Sequence, residues 1–106
     1  MKRMPSSLQA ADYSAAWNYL KAVEAAKTDD ADKVMATMKS MKWDDPIFGP
    51  SSIRADGRKM HDMYLFEVKK PSESKGPWDY YKLLSKISGE EAFRPLANSE
   101  CPLVKK

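Results

Sequence analysis

Few side chains in this sequence are equipped for chemistry. The 106 residues contain one cysteine and one histidine. Cys101 and His61 are therefore the one thiol–imidazole pair, forty positions apart. A thiolate nucleophile needs a base within hydrogen-bond reach. Cys101 sits in Glu100-Cys101-Pro102-Leu103-Val104-Lys105-Lys106, which reads as an exposed tail, so the two are not expected to meet. One cysteine and one histidine also cannot build a cysteine-and-histidine zinc site. His61-Asp62 with Asp56 offers three possible metal ligands, but Asp56-Gly57 is a tight-turn signal and a hairpin accounts for it. Asp44-Asp45 and Glu90-Glu91 are adjacent carboxylates in loop-like stretches. Acid–base catalysis needs two carboxyls that converge on one substrate atom, and these pairs are expected to cap helices or stay solvated instead. The expectation is a protein with no catalytic residue, no metal and no cofactor.

Charge excludes more. Eighteen Lys and Arg against fifteen Asp and Glu give +3, without the clustering of a nucleic-acid binder. Lys69-Lys70 and Lys105-Lys106 with Trp78, Tyr80 and Tyr81 could stack and clamp a single strand. Glu67, Glu73 and Asp79 lie among them and cancel much of that field, so no nucleic-acid partner is expected. Glycine, at four, leaves nothing for a glycine-rich phosphate loop. Hydrophobic residues at 42% and charged residues at 31% fit a folded domain. No apolar run approaches the ~20 residues of a membrane helix. Met1-Lys2-Arg3-Met4-Pro5 begins like a signal peptide, but Ser6 to Asp12 is polar. An export signal is not expected in this chain, which would be cytoplasmic if made as given.

The elements that must position these residues read as two helices followed by strands. Ser6 and Gln9 make a capping box for a first helix, with Tyr13, Ala16, Trp17, Leu20 and Val23 as its apolar stripe. Asp29 or Asp30 caps a second helix, with Ala31, Val34, Met35, Met38 and Met41 as its stripe. Its methionines are read as core packing. Pro46 and Pro50 forbid helix in the stretch that follows. A short strand is expected around Ser52 to Arg54, then the Asp56-Gly57 turn. Met63 to Lys69 is the strongest strand; Tyr64, Phe66 and Val68 share one face, and both faces start apolar, as in a strand covered on two sides. Lys70 to Pro77 is a loop by composition, Trp78 to Ile87 holds a second strand with Tyr81, Leu83 and Ile87 on one side, and Gly89 to Phe93 forms a helical turn.

Longer motifs add a resemblance. Asp12-Tyr13-Ser14-Ala15-Ala16 leading into Tyr19-Leu20-Lys21-Ala22-Val23 is similar to a helix in the last third of bacterial solute-binding proteins of the branched-chain amino-acid (leucine/isoleucine/valine-binding) type, which serve ABC transporters. Ile53 to Arg58, His61 to Ser74, Gly89 to Leu96 and Cys101 to Lys106 resemble a signature of one branch of that family. The resemblance covers essentially the whole chain.

It implies an α/β fold: the C-terminal part of a two-lobed type I periplasmic binding protein, two helices and then strands through the hinge. Residues 1–62 would belong to the first lobe, 63–70 to a hinge-crossing strand, and 71–106 to the end of the second lobe and a tail. It implies binding rather than catalysis, with capture of amino-acid-like or small carboxylate solutes in the periplasm and delivery to an ABC permease. A whole family member is much longer and begins with an export signal, so the chain is expected to be a fragment. Gln9 aligns with a side chain that lines the ligand cleft, and Asp12 lies one turn on; Gln9 is equally the capping partner of Ser6. Lys27 stands where the family often has a helix-ending glycine, and Ser88 where proline is common. Cys101 would pair with a cysteine outside this chain or stay a free tail thiol. A different class of reading is a small non-enzymatic interaction protein derived from that domain, without ligand binding. As an isolated fragment the chain is expected to form homo-oligomers through uncovered strands.

Overall fold

A computed structural model describes residues 3–102 and 104. Ser6 opens the first helix, α1 (Ser7–Ala26). Its hydroxyl accepts from the Gln9 amide at 3.3 Å, and Gln9 Oε1 accepts from the Ser6 amide at 3.0 Å. The capping box read from the sequence is present. The helix stops at Lys27, which takes the left-handed conformation at φ 52°, ψ 33° that glycine adopts more cheaply. Asp30 caps α2 (Ala31–Ser40) by accepting from the Lys33 amide at 3.1 Å.

Five strands follow in two sheets. The first has the order β1 (Lys42–Asp45), β2 (Gly49–Ile53), β3 (Lys59–Met60), antiparallel throughout. β1 replaces an expected loop, because Pro46 sits in the turn after the strand rather than inside it. Asp56-Gly57 forms the expected turn between β2 and β3, with Gly57 at φ 81°. The second sheet is a hairpin of β4 (Met63–Val68) and β5 (Tyr81–Ile87). Leu65 pairs with Ser85 and Phe66 with Leu83, so Leu84 is one extra residue on β5 and breaks its alternation. The second strand runs from Tyr81 to Ile87, within the expected stretch Trp78 to Ile87, and Trp78 lies in the preceding turn at φ 73°. Ser88 caps the short helix α3 (Gly89–Ala92).

The core lies where α1 and α2 cover β1 and β2. Ala22, Val34 and Trp43 are buried there, with Trp17, Val23, Ala26, Met38 and Met41 packed around them. The face that α1 buries is only partly its apolar stripe, of which Trp17 and Val23 reach the core. It buries Ser14, Asn18 and Ala22, spaced four apart, while Tyr13, Ala16 and Leu20 are exposed, Leu20 at 63%. The reason is the partner: the β1 edge presents a carboxylate, and polar side chains meet it. In α2, Val34 is buried and Met38 and Met41 are half-buried, but Met35 and Ala31 face out.

The hairpin also corrects the sequence reading. All of β4 and β5 are exposed on both faces, with Phe66 at 52% and Val68 at 72%. The two strands pack on each other, and no described element covers either face. The molecule is accordingly elongated, 52 × 35 × 18 Å, with a radius of gyration of 17.1 Å against about 13 Å for a compact domain of this length.

Candidate functional site

The most developed polar site joins α1 to the first sheet. Trp43 and Asp45 alternate with Lys42 and Asp44 along β1, which turns Asp45 toward α1. Asp45 is 3% exposed. One oxygen of its carboxylate accepts from Ser14 Oγ at 2.6 Å, Asn18 Nδ2 at 2.9 Å and Lys59 Nζ at 2.5 Å. The other accepts from the Ile47 and Phe48 amides at 2.8 and 2.9 Å, which closes the turn into β2. Lys59 also donates to Ser14 and lies over the Phe48 ring, 4.9 Å from its centroid. Burial alone would raise the Asp45 pKa. The bonds from Lys59, Ser14 and the two amides outweigh it and hold the carboxyl well below its ordinary value.

The reading of Asp44-Asp45 as exposed loop carboxylates is therefore corrected for Asp45. Its cause lies 27 and 31 positions away in Asn18 and Ser14, contacts that no local spacing near Asp45 reveals. The available signal was the polar stripe Ser14–Asn18 on an otherwise alanine-rich helix. The cluster ties α1 to the first sheet: Ser14 and Asn18 are buried, and Ser14 Oγ and Asn18 Nδ2 are turned onto Asp45. Asn18 Oδ1, Trp43 Nε1 and Ser51 Oγ are buried without a hydrogen-bond partner in the same region.

The other sequence candidates are placed as follows. Gln9 and Asp12 are exposed in the first turns of α1, with the Gln9 side chain engaged by Ser6. His61 stacks on Phe48 at 4.4 Å and meets Phe93 edge-on at 5.5 Å; its Nδ1 lies 2.9 Å from the Asp62 carbonyl. Cys101 is a free, half-buried thiol rather than an exposed one, and no hydrogen bond joins it to His61 among the described residues. Asp56 receives a two-pronged bond from Arg54 at 2.9 and 2.7 Å, which lowers its pKa to about 2. Asp62 is paired with Lys86 at 2.6 Å, which lowers its pKa. No group of three metal-binding side chains occurs among the described residues. Glu91 accepts from Ser88 Oγ at the start of α3, in keeping with the capping role expected for Glu90-Glu91. Lys69 is tied to Asp79 at 2.6 Å, and Trp78 meets Tyr80 at 6.1 Å. Met1, Leu103 and the Lys105-Lys106 pair lie outside the described residues.

The segment after β5 comes back to the first sheet. Arg54 Nη1 donates to the Arg94 carbonyl at 2.9 Å, and Arg58 lies over the Phe93 ring at 5.3 Å. Gly89 packs so closely on His61 that a Cβ there would stand 2.7 Å from the His61 carbonyl oxygen. Between this segment and the sheet face opposite the helices is an open cavity of about 730 Å³. Lys42, Ser52 and Met60, which are register partners, line it with Pro50, Pro95 and Leu96.

Two solved structures are similar to this fold over almost the whole chain. A periplasmic binding protein from Burkholderia mallei is 60% identical over 99% of the chain, with a TM-score of 0.93. A branched chain amino acid ABC transporter periplasmic ligand-binding protein from Burkholderia xenovorans LB400 is 46% identical over 97% of the chain, with a TM-score of 0.91. The chain spans 28% of the length of each. No curated protein matches it. The profile of the family described as periplasmic binding protein matches residues 1–77, most of the chain. With its mixed helix-and-strand architecture reproduced in those relatives, the chain belongs to the periplasmic binding protein family.

Proposed function

We propose that the chain is the C-terminal segment of a solute-binding protein of an ABC transporter. That protein would take amino-acid-like or small carboxylate solutes in the periplasm and deliver them to a permease. The observation that carries this is the 46% identity to the Burkholderia xenovorans ligand-binding protein over almost the whole chain. No helix among the described residues is long and apolar enough to cross a membrane.

In this reading residues 1–62 contribute to the first lobe, 63–70 cross the hinge and 71–106 end the second lobe. The contacts of Arg94 and Phe93 with Arg54 and Arg58 then fasten the chain end back onto the first part. A solute favours closure only by touching both lobes. Gln9 and Asp12, at the exposed start of α1, are the residues of this segment proposed to reach it. The segment works by positioning and hinge motion, without bond chemistry. On its own, the chain would self-associate through its uncovered strands.

The test is a chimera in which this chain replaces the matched 28% of the Burkholderia xenovorans protein. Calorimetry should give a folded chimera the relative's solute preference. A chimera that melts like the relative but binds none of its solutes would refute the proposal.

A further inference from the structure

We infer that both strands of the β4–β5 hairpin cross the hinge, side by side, and that Asp62 is the positioning residue that makes them turn together. The inference rests on the two-lobed reading above and goes beyond it. β5 becomes a second crossing in this segment, the second lobe ends at Ile87, and residues 88–100 stay with the first lobe.

The chain leaves the first sheet and returns to it at one root. Met63, where β4 begins, is the register partner of Ile87, where β5 ends. Just outside them the two backbones touch. A Cβ on Gly89 would stand 2.7 Å from the His61 carbonyl oxygen and 3.1 Å from the His61 amide nitrogen, so only glycine allows this approach. Asp62 ties the same two crossings through its side chain. It sits on the outgoing chain, and its carboxylate pairs with Lys86 of β5 at 2.6 Å. The Gly89 amide of the returning chain also favours its charged form.

Beyond the root the two arms differ. β4 and β5 are paired along their length, from Met63 with Ile87 to Val68 with Tyr81, and no described element covers them. A turn of one strand against the other breaks this ladder, whereas a turn of both about the root leaves it whole. The return segment is instead fastened to the first part. Phe93 meets His61 and Arg58, the Arg94 carbonyl accepts from Arg54, and Ser99 is buried. Arg94 and Pro95 line a small cavity of about 180 Å³ with Arg54, Asp56 and Arg58. Hinges are a few residues at element ends, between bodies that keep their own contacts; residues 61–62 and 88–89 stand at such ends.

The test uses the chimera described above, with Cys101→Ser to remove the native thiol. Arg58→Cys and Arg94→Cys, both exposed and outside the root, are joined by a short bis-maleimide. With both positions on one lobe, cross-linking should leave solute affinity within about twofold in calorimetry. A larger change, or loss of binding, overturns the inference, because the link then joins bodies that must move. A chimera that binds no solute before cross-linking removes the two-lobed reading and this inference with it; one that binds until cross-linked removes the inference alone. Asp62→Asn and Lys86→Met should each shift solute affinity about two- to fivefold at an unchanged melting temperature, the effect of a partly exposed ion pair. Asp62→Glu, which keeps the charge, should hold the original affinity. An unchanged affinity in Asp62→Asn, or a shift that appears only with a lower melting temperature, overturns the role of Asp62.

Discussion

Replacing Asp45 should strongly destabilise the chain, and the cost can be worked from its bonds. Asp45→Ala removes the acceptor of the buried Ser14 hydroxyl and the buried Asn18 amide. Each buried group left without a partner costs about 1–3 kcal/mol. Lys59, whose side chain is 23% exposed, can turn its ammonium to water, and the Ile47 and Phe48 amides are near enough to the surface to be hydrated. The loss should therefore be about 3–5 kcal/mol, against a total of about 5–15 kcal/mol for a chain of this length. Asp45→Asn keeps the shape and one acceptor but loses the charge, and should cost about 1.5–3 kcal/mol. The pH dependence follows from the lowered pKa. The unfolded carboxyl titrates near 3.9, so its contribution is complete above about pH 5 and is lost as pH falls from there toward the folded value. The difference between wild type and Asp45→Asn should shrink over that range. Urea unfolding followed by tryptophan fluorescence, at one fixed chain concentration because association adds stability, measures all three. A loss under 1 kcal/mol for Asp45→Ala, or an Asn variant equal to wild type at neutral pH, would refute the reasoning.

Other expectations are shorter. Gly89→Ala drives a methyl group against the His61 backbone and should cost about 1–3 kcal/mol, seen as a lower melting temperature; an unchanged melt would mean that α3 moves away freely. Lys27→Gly relieves the left-handed helix end and should stabilise the chain by up to about 1 kcal/mol in urea titrations. The isolated chain should show no heat of binding with leucine in calorimetry, because part of a cleft makes too few contacts to offset the several kcal/mol lost on association; micromolar affinity would contradict this.

Local chemistry was legible in the sequence. The Ser6–Gln9 capping box, the Asp30 cap, the Asp56-Gly57 turn and the β5 strand each depend on residues within a few positions of one another. What was not legible depends on distant partners. Of the apolar stripe of α1 only Trp17 and Val23 reach the core, and the helix docks its polar Ser14 and Asn18 on Asp45. β4 has the apolar pattern of a strand covered on both sides, yet no element of the described chain covers it. Asp45 looked like a loop residue because Pro46 follows it, and only the register of β1 on β2 reveals the strand. Gln9 and Asp12 entered through family likeness, and their positions in the first turns of α1 give them exposure without defining a pocket.

The composition of the core bears on how the chain responds to temperature. Among the described residues, three apolar side chains are buried beside five polar or charged ones. Exposing apolar surface on unfolding raises heat capacity, whereas exposing polar surface lowers it. With so few apolar side chains fully buried, the heat-capacity change per residue is expected to fall below the usual ~12–15 cal/mol/K, which scanning calorimetry measures. A small change flattens the curve of stability against temperature. Cooling removes little of what holds this chain together, because hydrogen bonds to one carboxylate do not fade in the cold as hydrophobic burial does.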